Sequence, residues 1–98
     1  MAVMTDISVE PGDDAMFRVE VRSGTRTTSH EVTVPPGYAR TLGCELVRTE
    51  QLVERSFEFL LEREPPTSIL RRFSLDVIAD YFPEYPTEIR GRCAPGGG

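Results

Sequence analysis

From Ala15 onward the chain alternates apolar and polar side chains. Phe17, Val19 and Val21 fall on one side of an extended segment and Arg18, Glu20 and Arg22 on the other. A period of two is that of a half-buried strand. Ser23-Gly24-Thr25-Arg26 supplies a turn whose glycine tolerates positive φ. Alternation then resumes, with Thr28, His30, Val32 and Val34 set against Ser29, Glu31 and Thr33. The two runs predict a β-hairpin, which Pro35-Pro36 stops. Residues 37–42 fit a short helical turn with Gly43 just past its end.

The period changes after Thr49, an N-cap candidate followed by Glu50 in the first turn, where an acid complements the helix dipole. Leu52, Val53, Phe57, Phe59, Leu60 and Leu61 spread over a wide arc of a helix that Pro65-Pro66 cuts at about Glu64. An apolar arc wider than about 100° predicts that this helix is covered on two sides. Two short helical pieces follow. Ile69, Leu70 and Phe73 lie behind Thr67 or Ser68 as caps; Leu75, Ile78, Ala79 and Phe82 lie behind Ser74, with Pro83 as the stop. The fold class is therefore α+β: an N-terminal β-hairpin packed against one long amphipathic helix and two or three short helices. Residues 1–14 are expected to be a flexible leader, with Pro11-Gly12-Asp13-Asp14 at the boundary. Residues 15–86 form a single small domain, and residues 87–98 an irregular tail ending in Gly-Gly-Gly.

The 98 residues suffice for one domain with a modest core. Net charge is −5 with acids spread along the whole chain, which opposes nucleic-acid binding by counterion release. All eleven basic residues are arginine, so neither a Schiff-base lysine nor a P-loop lysine exists. One histidine and two distant cysteines, Cys44 and Cys93, do not make a zinc site, and no cofactor is expected. No basic and apolar signal segment opens the sequence, and no apolar run is long enough to span a bilayer. The expectation is a cytoplasmic protein with reduced thiols. A disulfide would form only if the tail folded back.

The strings SFEFLLEREP, SILRRF and YFPEY, together with the hairpin end His30-Glu31-Val32-Thr33-Val34-Pro35, resemble a set of small uncharacterised bacterial proteins. The similarity spans roughly residues 17–86. It implies that these elements belong to one domain and carries no activity with it.

Candidate chemistry is sparse. Asp76 and Asp80, four apart, would share a helical face able to hold a metal ion, or they form a solvated acidic face. Arg71-Arg72 is the one adjacent basic pair: a clamp for an acidic partner, or a pair bound to Glu58, Glu62 or Glu64. His30 and its strand neighbours cannot form a catalytic triad, because adjacent residues face opposite sides; a hydrogen-bonding role is expected instead. Tyr81, Phe82 and Tyr85 form the densest aromatic cluster and serve as a binding surface if exposed. The resulting expectation is a non-enzymatic module that binds a protein partner or itself through Tyr81, Phe82, Tyr85, Arg71 and Arg72. Nucleic-acid association in the manner of a dimeric antitoxin and metal-assisted hydrolysis through Asp76 and Asp80 are the alternatives.

Overall fold

The computed structural model describes residues 5–13 and 15–93. Four strands form one sheet in the order β1-β2-β3-β4: β1 is Thr5–Pro11, β2 Met16–Ser23, β3 Arg26–Thr33 and β4 Arg72–Ser74. The first three make an antiparallel meander, and β4 joins β3 in parallel after a helical crossover. Four helices complete the fold: α1 (Tyr38–Thr41), α2 (Thr49–Leu61), α3 (Ile78–Tyr81) and α4 (Tyr85–Arg92). The α+β class and the central hairpin are as the sequence predicts. Gly24 turns the hairpin at φ 63° and Gly43 closes α1 at φ 78°.

The rows of the sheet explain its layering. Phe17, Val32 and Phe73 are lateral neighbours on one face, as are Val9, Val19 and His30 on the next row. This face meets α2, whose Leu52, Val53, Phe57, Phe59 and Leu60 are buried. α4 packs on the other side of α2, so the wide apolar arc is indeed covered twice. The opposite face of the sheet carries the row Glu10, Arg18, Glu31, Arg72. Its signs alternate across all four strands, an arrangement in which every charge has an opposite neighbour.

Four expectations are corrected. Residues 5–11 of the expected leader are strand β1, and the Pro11-Gly12-Asp13 turn is a hairpin loop in which the Gly12 N–H donates to Met16 O at 2.8 Å. Edge pairing with β2 orders a segment that has only Ile7 and Val9 as apolar anchors. The helix expected over residues 67–73 is a 3₁₀ turn, Pro66–Ser68, followed by β4. The open edge of β3 captures this segment, with the Glu31 N–H donating to Arg71 O. Residues 85–92 are helix and not an irregular tail, because Pro86 occupies a first-turn position where its missing N–H costs nothing. Finally, Cys44 and Cys93 are joined as a disulfide, with Cα atoms 5.3 Å apart. α4 folds back to bring them together, and the thiols are not reduced. The Gly-rich segment, residues 94–98, lies outside the described residues.

Candidate functional site

α2 ends at Leu61, shortly before the Pro65-Pro66 break, and the chain passes through the 3₁₀ turn Pro66–Ser68 toward β4. Ile69 goes into the core while Leu70 stays 48% exposed. Two bonds fix this path. His30 Nδ1–H donates to Leu70 O at 2.8 Å, and the Glu31 N–H reaches Arg71 O. A bond from Nδ1 to a carbonyl requires the proton on that nitrogen. Nε2 therefore accepts from the Thr28 hydroxyl at 2.9 Å. Only 2% of His30 is exposed, and its ring sits 5.3 Å from that of Phe57. Burial lowers its pKa; the bond to Leu70 O opposes that shift and nearby Arg71 adds to it.

After β4, a 3₁₀ turn (Leu75–Val77) leads straight into α3. The returning segment, α3 and the end of α2 enclose a groove of about 290 Å³. Leu60, Ile69, Phe73, Ile78 and Phe82 are among its apolar lining, and Glu64 and Ser68 also line it. The large hydrophobic side chains most open to solvent are Leu46, Leu70 and Tyr81, and the last two border this groove. β4 pairs with β3 on one side and, among the described residues, with no strand on the other, and its Phe73 lines the groove.

The expected aromatic cluster is divided by the fold. Tyr81 is 66% exposed and Phe82 is half-buried. Phe82 meets Phe59 edge-on at 5.8 Å, and Phe59 in turn meets Tyr85 at 5.3 Å. Tyr85 is fully buried and cannot touch a partner, which corrects its place in the expected binding surface. It sits on the first turn of α4 and points into α2, where its hydroxyl pairs with Ser56 Oγ at 2.7 Å. Ser56 Oγ–H itself donates to Leu52 O, so Tyr85 is the donor of the pair. Burial raises the Tyr85 pKa far above the ordinary tyrosine value, against the bond to Ser56.

The arginines are also separated. Arg72 projects onto the open face of the sheet and binds Glu31 at 3.0 Å, not the glutamates of α2. Glu58 of α2 lies 3.9 Å from Arg55, and Glu62, just past the helix, is held by Arg92 at 2.6 Å and by Arg63. Arg63 also lies 3.7 Å above the Phe59 ring and reaches Glu84 at 3.1 Å. Arg71 remains exposed beside Leu70. Asp76 and Asp80 are exposed near Tyr38, whose pKa is raised by its burial and then by these two carboxylates. Among the described residues no group of three or more His, Cys, Asp or Glu is placed to hold a metal ion. No helix among them is long and apolar enough to cross a membrane.

Leu60, Ile69, Leu70 and Phe73 were missed as site residues because their spacing matches that of core positions. The available signal was Leu70 itself, which follows a Pro-Pro break and precedes two charged residues. No family model, curated protein or solved structure matches the chain.

Proposed function

We propose that the chain is a small non-enzymatic interaction module that docks an apolar segment of a partner protein in the groove beside β4. The observation that carries this reading is the pair Leu70 and Tyr81, large hydrophobic side chains that line an apolar cleft and yet stand exposed to solvent. Such exposure costs hydrophobic free energy that an occupant would recover. The volume of about 290 Å³ falls at the lower limit of small-molecule sites, which run from about 300 to 1,000 Å³. It suits one or two side chains of a peptide better than a metabolite. The free edge of β4 offers main-chain hydrogen bonds to the same segment, the combination used in strand-addition recognition. The polar lining, among the described residues, is Glu64, Ser68 and the Tyr81 hydroxyl, which provides little for acid–base chemistry.

The Cys44–Cys93 disulfide bears on where the module works. Structural disulfides persist in oxidising compartments and are rare in the cytosol. We therefore favour an oxidising compartment over the cytoplasm.

Selection from a displayed random-peptide library tests the docking reading. Selected peptides should carry a large apolar residue and lose about tenfold or more in affinity to Leu70→Asp, as expected when roughly 1.4 kcal/mol of contact is removed. Tyr81→Ser should act in the same direction. Both positions are exposed, so the fold should survive. Peptides that bind both variants as tightly as the parent, or a selection that yields no apolar binder, would overturn the reading.

A further inference from the structure

The far edge of the sheet presents a second, differently charged surface. β1 pairs with β2 on one side, and among the described residues no strand pairs with the other. An edge of seven residues is long enough to support a ladder, and among the described residues β1 has backbone strand pairing with β2 alone. α2 packs against β1. Glu54, Glu58, Leu61 and Glu62 from the α2 side and Thr5, Asp6 and Ile7 of β1 line an open trough of about 370 Å³. Ile7 and Leu61 are partly buried and give the trough an apolar spot.

The carboxylates of the trough differ in how they are compensated. Glu62 is held by Arg92 and Arg63. Glu58 has a contact of 3.9 Å with Arg55 of its own helix, and Glu54 has no ion pair among the described residues. Below the edge, Asp6 and Glu10 project to the open face, with Arg22 and Arg18 as their cross-strand neighbours on β2. Glu54 and Asp6 of the trough therefore have no ion pair among the described residues, and Glu58 has only its long contact with Arg55.

A second copy of the chain is a poor occupant. Antiparallel pairing of β1 with itself about Ser8 would set Asp6 opposite Glu10 at both ends, and like charges directly opposite are destabilising. The glutamate walls of two α2 helices would also meet, in a chain of net charge −5.

We propose that the open edge of β1 accepts an extended basic segment of a different protein as a fifth strand. Its main chain would complete the ladder while Arg or Lys side chains reach Glu54 and Glu58. This surface is separate from the groove beside β4, at the opposite edge of the sheet.

The probe is a capped hexapeptide, Arg-Val-Arg-Val-Arg-Val, added to the full chain and followed by two-dimensional amide NMR and by titration at several salt concentrations. The expected result is shifts concentrated on β1 amides and an affinity that falls as salt rises. The double reversal Glu54→Arg with Glu58→Arg should weaken binding about tenfold, since rim charges set encounter and salt dependence. Should that variant lose its fold, Glu54→Gln removes the unpaired charge alone and should weaken binding in the same direction. Leu70→Asp should leave this binding unchanged, which separates it from docking in the groove. Equal binding of a Glu-Val-Glu-Val-Glu-Val peptide would overturn the proposal. So would shifts confined to residues 69–82, or sedimentation showing that β1 closes a dimer of this chain.

Discussion

The buried hydroxyl pair Ser56–Tyr85 makes a prediction that contact inventories alone do not. Ser56 Oγ–H donates to Leu52 O and its oxygen accepts from Tyr85, with both residues 0% exposed. In Tyr85→Phe the serine keeps its donor bond and loses only the proton it accepts. The cost should be about 0.5–1.5 kcal/mol, that of one net hydrogen bond. In Ser56→Ala the Tyr85 hydroxyl remains in the core with no acceptor. That desolvated donor should cost about 1–3 kcal/mol, reduced slightly by the better helix propensity of alanine. In the double variant both polar groups are gone and nothing is left unpaired. Its stability should lie within about 1 kcal/mol of the parent, less of a loss than Ser56→Ala alone. Urea unfolding of the four proteins, followed by circular dichroism, gives the cycle directly. Losses that add to within about 0.5 kcal/mol, the behaviour of independent sites, would refute the claim that the two hydroxyls satisfy one another.

Three further outcomes follow from the same structure. Reducing the Cys44–Cys93 bond opens a loop with a sequence separation of 49, for which chain entropy gives about 4 kcal/mol; denaturation with and without a dithiol reductant measures it. The buried neutral His30 binds a proton less readily folded than unfolded. Its stabilising contribution should be complete above the unfolded-state pKa of about 6.5 and decline as pH falls from there through the folded-state value. Unfolding midpoints from mildly alkaline to mildly acidic pH check this, and His30→Gln should flatten the slope. Tyr85→Ala, unlike Leu70→Asp, should lower the melting temperature strongly, by the roughly 3–5 kcal/mol typical of removing a core aromatic side chain.

The parts of the fold legible in the sequence are those whose local pattern and tertiary environment agree. Phe17, Val19 and Val21 alternate and do face α2, and α2 ends near its Pro-Pro break as the pattern requires. The parts that were not legible owe their form to a distant partner. Residues 69–73 have helix-like spacing, yet they extend because β3 offers an unpaired edge and His30 a donor forty residues away. β1 has too few apolar positions to announce itself and depends on β2 for its register. The helical spacing of Tyr85, Ile89 and Cys93, one stripe at four-residue intervals, was present in the sequence but obscured by Pro86. For the site, a cluster that was dense along the chain proved to be split in space. Tyr81 and Phe82 reach the groove, while Tyr85 turned inward to pair with Ser56.

Docking beside β4 is tested most directly by mapping a selected apolar peptide on the protein by amide NMR. Docking in the groove should shift residues 69–73 and 77–82 and the end of α2, with the pattern lost in Leu70→Asp. Shifts that avoid these residues, or that persist unchanged in Leu70→Asp, would contradict the assignment of the groove as the docking site.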